Sequence, residues 1–268
     1  KAKGAYHGVD AWCDPGFGGR VENDRSHVLE FSWDNLDEFR SLLENYRNQI
    51  SSVILTPYHH AAFGPSILPD HNLWPVMEEE CKNNGIILIL DDVRAGGRLD
   101  DGGSHRYFDF TPDLSVYSKA LGNGFSISAC VGKEFLKAAS KEVFLTGSCW
   151  NDAVAMAAAH KSLQISQRDQ VAQSVLKKGD YFCSGLVACA QDLDLPFTMT
   201  GPSSMPYPWF EGDDNLFLIQ KFCELAAGKG LYFHPHHNWF ISNAMEYTDL
   251  DLALELAGQA MNELKNLN

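Results

Sequence analysis

The chain has 268 residues, and its 21 lysines and arginines against 35 aspartates and glutamates give a formal net charge of −14 at pH 7. This acidic balance argues against a nucleic-acid or anionic-membrane partner, because both need a cationic surface. Apolar residues make up 45% of the chain and charged residues 21%, which is typical of a globular protein. Without a long apolar run, a targeting pattern or a CxxC pair among its seven cysteines, the sequence predicts a cytoplasmic protein with reduced thiols.

Strand and helix patterns alternate in the first part of the chain. Val28–Phe31 predicts a short strand, and the apolar spacing that follows predicts a helix with Asp34 as its N-cap. Ser52–Thr56 predicts a buried strand. Asn72–Asn84 predicts a helix, which Gly85 is expected to end.

The next run, Ile86–Leu90, is apolar without interruption, the pattern of a strand buried on both faces of a parallel sheet. Asp91 and Asp92 follow it, at the carboxyl end where open α/β sheets bind ligands. Leu114–Ser118 and Ser126–Val131 predict two further strands. We therefore expect an α/β fold with a mostly parallel sheet flanked by helices.

The chain changes character after Ala153–Ser166, which predicts a helix. Three longer helical patterns follow, over about residues 168–190, 215–228 and 249–265. Pro196–Phe210 is rich in proline and extended, and Leu231–Phe233 predicts a short strand. The sequence therefore predicts a large domain over residues 1–166 and a smaller C-terminal α+β domain over residues 167–268.

Polar and aromatic residues stand at the ends of several predicted strands. Asp91 ends one strand, Lys119 follows another and precedes a glycine-rich loop, and Tyr6 with His7 ends a short first strand. Alone, Asp91 is better explained as a cap or an ion pair, Lys119 as a lysine in a surface turn and Tyr6 as a core residue. Together, an acid, a lysine and an aromatic ring are the components of a pyridoxal phosphate site.

Two segments carry a resemblance to a known family. LILDDV at Leu88–Val93 resembles the LIFDEV strand of the class III aminotransferases, which are fold-type-I pyridoxal phosphate enzymes. TPDLSVYSKALGNG at Thr111–Gly124 is similar to their PD-x(5)-K-x-(L/I)-G-x-G segment. Ala5–Gly8, Gly230–Pro235 and Asn238–Ser242 resemble the glutamate-1-semialdehyde 2,1-aminomutase subgroup. The resemblance covers almost the whole chain and implies fold type I with pyridoxal 5'-phosphate as the cofactor.

The resemblance implies a role for each matching residue near the cofactor ring. Lys119 would carry the Schiff base and then move a proton between Cα and C4′. Asp91 would bond the pyridinium nitrogen. Tyr6 and Val93 would pack on opposite faces of the ring, with His7 close by.

The cofactor phosphate is implied to contact the neighbouring subunit. Ser148 aligns with a family threonine that reaches this phosphate, and Thr146 is a second candidate for the contact. The resemblance therefore implies a homodimer with its sites at the interface. Its substrates would be a small-molecule amino donor and a keto or aldehyde acceptor.

The sequence departs from the family pattern at several positions. Asp92 stands where the family usually has glutamate, Arg94 occupies a position that is commonly uncharged, and WNDA at Trp150–Ala153 replaces an SGNP turn. The turn that cradles the phosphate is not recognised from Tyr6 onward, so we expect the N-terminal part of the family fold to precede Lys1. Three hypotheses stay open: an aminotransferase, an intramolecular aminomutase, and a catalytically silent binding or assembly domain.

Other motifs are weaker. His59-His60 and the group His234, His236 and His237 lack a helical i, i+4 pair with an acid, so no metal site is expected. The glycines of Gly16–Gly19 follow no convincing strand and open no helix, which argues against a dinucleotide-binding turn.

Overall fold

The computed structural model describes residues 2–3, 27–60 and 63–267. Their strands are β1 (Ala2–Lys3), β2 (Phe31–Ser32), β3 (Ser52–Leu55), β4 (Ile87–Asp91), β5 (Leu114–Tyr117), β6 (Ala129–Gly132), β7 (Phe197–Thr200) and β8 (Tyr207–Phe210). Their α-helices are α1 (Leu36–Asn45), α2 (Leu73–Asn84), α3 (Ser104–Tyr107), α4 (Lys137–Ser140), α5 (Ala153–Asp169), α6 (Val171–Asp192), α7 (Phe217–Gly228) and α8 (Tyr247–Lys265). Short 3₁₀ helices lie at Lys119–Leu121 and Glu134–Leu136.

The main sheet has four strands in the order β3-β4-β5-β6. β3, β4 and β5 are parallel neighbours, whereas β6 pairs with β5 in the antiparallel direction. The predicted α/β class and mostly parallel sheet are therefore confirmed. Because parallel strands point the same way, the carboxyl ends of β3, β4 and β5 meet at one edge of the sheet.

The helix that follows β2 does not begin where the sequence predicted. Asn35 is its N-cap, with Oδ1 accepting a hydrogen bond from the backbone N–H of Glu38 at 3.0 Å. Asp34 has a φ of 63°, in the left-handed region, so it turns the chain one residue before the cap. The prediction of Asp34 as N-cap was wrong. Gly85 does end α2, in the left-handed conformation expected of a C-terminal glycine.

The chain divides into two compact units. One unit comprises Lys1–His60 and Pro69–Asp169, and the other comprises Ala61–Leu68 and Gln170–Asn268. The two-domain division at residue 166 that the sequence suggests stays a prediction. In the first unit, α2 packs against β4 through its buried face. The rings of Trp74, on α2, and Phe110 stack at a centroid distance of 4.0 Å.

The second unit builds its core from α6, α7, α8 and the β7-β8 hairpin. Phe222 is fully buried there. Ser66, from the early segment of this unit, donates its backbone N–H to Thr200 Oγ1 at 3.0 Å. Leu231–Phe233 is not a strand, which corrects the prediction: the backbone N–H of Leu231 donates to the Ala226 carbonyl of α7 at 3.0 Å, and the Phe233 ring stacks on Trp239 at 4.1 Å.

Across the described residues, no helix has the length and apolar character needed to cross a lipid bilayer.

Candidate active site

Asp91 and Lys119 lie at the carboxyl edge of the main sheet. Asp91 is the last residue of β4, is 8% exposed, and is the register partner of Val116 in β5. Lys119 follows the end of β5 by two residues. Adjacent strands are about 4.8 Å apart, so this register brings the two residues to the same end of neighbouring strands.

The backbone of Lys119 adopts an unusual conformation. Its φ of 45° lies in the left-handed region, which costs free energy for a residue with a side chain. The turn that follows requires a glycine at position 122, since a Cβ there would lie 2.2 Å from the carbonyl oxygen of Phe125. This segment is therefore a tightly built turn, from which the Lys119 side chain remains partly accessible to solvent.

The environment of the Lys119 amine favours its neutral form. Partial burial lowers the pKa of Lys119, and the nearby guanidinium groups of Arg94 and Arg98 lower it further. The carboxylate of Asp91 opposes this effect. A neutral amine is both a nucleophile and a base, so these neighbours suit Lys119 to covalent and proton-transfer chemistry.

Asp91 and Val93 lie on the turn that leaves β4. The backbone N–H of Val93 donates to Asp91 Oδ1 at 3.3 Å, which helps to orient the carboxylate. Val93 itself is partly buried. The structure therefore brings together three of the predicted site residues, Asp91, Val93 and Lys119.

Asp92 is more deeply buried than its neighbour, at 1% exposure. Its Oδ2 accepts a hydrogen bond from the backbone N–H of Ser104 at 2.9 Å, and its backbone N–H donates to the Val116 carbonyl at 3.0 Å. Burial raises the pKa of Asp92 to about 6, and the contacts with Ser104 oppose this only in part. Asp92 therefore links the end of β4 to β5 and to the start of α3.

Sequence reasoning missed Tyr58 and the closeness of Arg98 to the lysine. Tyr58 follows β3 at the same edge of the sheet and is 1% exposed. Burial raises the pKa of its hydroxyl, while the guanidinium groups of Arg94 and Arg98 oppose the shift. Arg94 drew attention in the sequence only as a charge at an unusual position. A buried tyrosine three residues after a strand gives no signal of its own in one sequence.

Two other predicted site residues lie away from this group. Thr146 and Ser148 are exposed, on a segment without regular secondary structure between α4 and α5. Within the described part of the chain, neither forms a hydrogen bond or ion pair with Asp91 or Lys119. Their predicted contact with a cofactor phosphate stays a prediction. Tyr6 and His7 lie outside the described residues.

The donor set at this edge fits pyridoxal 5'-phosphate. The cofactor needs an amine that reacts with its aldehyde and a carboxylate beside its ring nitrogen. Lys119 supplies an accessible amine whose pKa is lowered, and Asp91 supplies a largely buried carboxylate on the adjacent strand. For metals, no cluster of three or more His, Cys, Asp or Glu ligands occurs among the described residues.

Comparison with known proteins agrees with this chemistry. The family profile described as aminotransferase class-III matches residues 22–264. The chain is 32% identical over 261 residues to the aminopentol aminotransferase of Sphingopyxis macrogoltabida, covering 97% of this chain and 62% of that protein. It is 28% identical over 294 residues to a glutamate-1-semialdehyde 2,1-aminomutase of Syntrophobacter fumaroxidans, covering 100% of this chain and 67% of the relative.

The structural comparison gives the same result. The FumI protein of Sphingopyxis sp. MTA144, solved in its PLP internal aldimine form, superimposes with a TM-score of 0.94 at 32% sequence identity. The match covers 98% of this chain and 63% of that protein, so the chain spans less than two thirds of its length. The fold is thus fold type I of the PLP-dependent transaminases, as expected. By its sequence and its fold, the chain belongs to the class-III aminotransferase family.

Proposed function

We propose that the protein transfers an amino group between an amino donor and a keto or aldehyde acceptor, with pyridoxal 5'-phosphate as its cofactor. The observation that carries this proposal is the placement of Asp91 at the end of β4 and of Lys119 just after the end of β5, its parallel neighbour, at one edge of the sheet. The strained backbone of Lys119 and the lowered pKa of its amine support it.

In this proposal the chain's own residues have distinct tasks. When bound, the cofactor supplies an electrophilic aldehyde and a ring that delocalises the electrons released at the substrate Cα. Lys119 acts first as the nucleophile and then as the base, taking the Cα proton and holding it on Nζ. Asp91 accepts a hydrogen bond from the protonated ring nitrogen and keeps its positive charge in place.

Further residues are proposed to hold the cofactor. Val93 packs on one face of the ring and Tyr6 on the other, with His7 close to it. Ser148 donates a hydrogen bond to the phosphate bound by a second subunit, and Thr146 is the alternative donor. An exposed hydroxyl is free to make such a contact, and both side chains are exposed.

The segment around Ser148 supports a homodimer as the working form. Its large apolar side chains are exposed, with Phe144 at 88%, Leu145 at 64% and Trp150 at 54%. Side chains of this kind, close together in sequence and open to solvent, are typical of a surface that another chain covers. A second copy of the chain is the proposed occupant, because the same segment carries the proposed contact to its cofactor.

The intramolecular aminomutase is the second candidate. The identity to a glutamate-1-semialdehyde 2,1-aminomutase supports it, whereas the identity to an aminopentol aminotransferase supports transfer between two substrates. The two reactions differ in their need for an acceptor. A mutase moves the amino group within one molecule, so it requires no added keto acid.

The test uses the purified protein saturated with pyridoxal 5'-phosphate. An aminopentol and a panel of simpler amines are added first without an acceptor, and the keto product is counted per site. A transaminase forms one equivalent and continues only when a keto acid is added. Sustained turnover without an acceptor assigns the mutase instead. Absence of any reaction overturns the catalytic proposal in favour of a silent domain.

A pair of variants makes this test specific to the lysine. Lys119→Ala should remove the reaction and also the cofactor that borohydride fixes to the chain. Lys137→Ala is the matched control, because Lys137 is an exposed lysine that pairs with Glu134 at 2.8 Å. Equal loss in both variants would contradict the role given to Lys119.

A further inference from the structure

The ring of Tyr117, two residues before Lys119, lies between two glycines of the segment that links β4 to α3. A Cβ added at Gly96 would lie 2.7 Å from Tyr117 Cδ1, and one added at Gly103 would lie 2.5 Å from Tyr117 Oη. Both distances are shorter than any ordinary contact of a Cβ, so a larger residue would displace the ring at either position. Gly103 also has a φ of 113°, which favours glycine. The backbone of this segment therefore packs directly against both ends of the ring.

The same segment is fixed at both of its ends by Asp92. The backbone N–H of Asp92 is bonded to the Val116 carbonyl, next to Tyr117, and its side chain accepts the N–H of Ser104. The carbonyl of Asp92 accepts the N–H of Gly96 at 2.9 Å. Hydrogen bonds of Asp92 to Gly96 and Ser104 thus close the loop of residues 92–104, which packs against the Tyr117 ring at Gly96 and Gly103.

This loop carries the two guanidinium groups that act on the lysine. Arg98 Nη1 donates a hydrogen bond to the carbonyl oxygen of Arg94, so the two arginines are tied to each other within the loop. Both act electrostatically on the Lys119 amine. The distance of these two groups from the amine depends on the position of the loop. The loop in turn packs against the Tyr117 ring, which therefore helps to fix that position.

We infer that Tyr117 is a positioning residue for Lys119: its ring packs against the backbone of residues 92–104 and thereby holds Arg94 and Arg98 at fixed positions near the lysine. This inference rests on the proposed function in one respect only: that function requires a neutral Lys119 amine as nucleophile and base. Replacing the ring with a smaller side chain removes the contact that fixes the loop, so the two charges are no longer held near the amine and their electrostatic effect on it weakens. Coulomb interactions between partly exposed charges depend on such distances, so the ionisation of Lys119 must respond.

The experiment measures the amine itself in the cofactor-free protein. Lysines are labelled with a limiting amount of an amine-reactive reagent over a pH series, and the label on each peptide is quantified by mass spectrometry. In Tyr117→Leu, we expect the midpoint of Lys119 labelling to move upward and its labelling at neutral pH to fall by about threefold or more. Lys221, on α7 in the other unit, serves as the internal reference and should not change.

Three further variants separate positioning from general damage. Tyr117→Phe keeps the ring and should restore the wild-type midpoint. Gly103→Ala leaves the tyrosine in place but displaces its ring, and should shift the midpoint in the same direction as Tyr117→Leu. Tyr107→Leu is the matched control, since Tyr107 is an exposed tyrosine on α3.

The outcomes are distinct. Unchanged Lys119 labelling in folded Tyr117→Leu and Gly103→Ala overturns the inference, as does an equal shift in Tyr107→Leu. Neither cofactor nor substrate is present in this measurement. If the labelling shifts as expected while the holo-protein transfers no amino group, the proposed function fails and the positioning role of Tyr117 stands.

Discussion

Asp91 and Val116 are register partners in the parallel pairing of β4 with β5, and Val116 precedes Lys119 by three residues. The side-chain period of a strand is two, so a slip of one residue would turn the Asp91 carboxylate to the opposite face of the sheet. The alternation along β4 prevents this slip, because Leu88 and Leu90 are buried on one face. Packing of the apolar side chains of β4 in the core therefore fixes the position of Asp91 relative to the end of β5, which Lys119 follows.

Asp91→Asn should retain the cofactor but lower the rate of amino transfer by about 100-fold or more, because the ring nitrogen loses its charged partner. The rate is measured with saturating cofactor, and cofactor binding is measured separately. Asp214→Asn, at an exposed aspartate, is the control. A near-normal rate in Asp91→Asn would refute the proposed contact with the ring nitrogen.

Asp92→Asn should stabilise the protein near neutral pH. Since burial raises the pKa of Asp92 to about 6 in the folded chain, from 3.8, the stability that its protonated form contributes is complete below the unfolded value and is lost as the pH rises through 6. An uncharged amide avoids this loss, so the variant should gain about 1–3 kcal/mol of unfolding free energy at about pH 8 and about half as much at about pH 5. Urea unfolding at both pH values checks this. A variant that is less stable at the higher pH would show that the charge is favourably paired.

Ser148→Ala should weaken cofactor binding by about tenfold, the effect of losing one hydrogen bond to a charged phosphate. Thr146→Ala is the matched comparison, since both side chains are exposed and neither substitution disturbs the core. Equilibrium titration of the cofactor-free protein gives both dissociation constants. A loss in Thr146→Ala alone would move the contact to that residue, and no change in either variant would refute it.

Phe144→Ser combined with Leu145→Ser should shift the protein from dimer toward monomer, because both apolar side chains belong to the proposed contact surface. Sedimentation velocity over a range of concentrations measures the shift. Leu252→Ser is the control, at a leucine that is 55% exposed on α8. If the double variant sediments like the wild type, this segment is not the interface.

Phe222→Ala should lower the unfolding free energy by about 3–5 kcal/mol, since the ring is fully buried and its removal leaves a cavity. Phe217→Ala, on the same helix but 68% exposed, should change it by no more than about 0.5 kcal/mol. Thermal unfolding of the two variants side by side gives the comparison. Similar losses in both would contradict the core assignment.

The sequence predicts well the strands that end at the edge with Asp91 and Lys119, because these strands depend on local patterns. The apolar run before Asp91 and the strand before Lys119 are each recognisable without knowledge of distant residues. Gly85 ends α2 as predicted for the same reason, since a left-handed glycine needs only its own helix.

Tertiary context explains the features that the sequence could not predict. Three prolines lie within or beside β7 and β8, so the hairpin was recognised only as an extended stretch. Leu231–Phe233 has a strand-like composition, but the backbone N–H of Leu231 bonds to the end of α7 and the Phe233 ring packs on Trp239. The Tyr117 ring packs against glycines 14 and 21 residues earlier in the chain, and a contact of this kind leaves no periodic pattern in the sequence.

The hydrogen bond between Ser66 and Thr200 joins residues 134 positions apart, within a unit whose other residues begin at Gln170. Forming it closes a very long loop, and the entropy of that closure opposes the contact until other interactions have restricted the chain. Contacts of such high sequence separation slow folding. The β7-β8 hairpin is therefore expected to acquire its Ser66 partner late in folding, although Ser66 is synthesised about a hundred residues before the rest of the second unit.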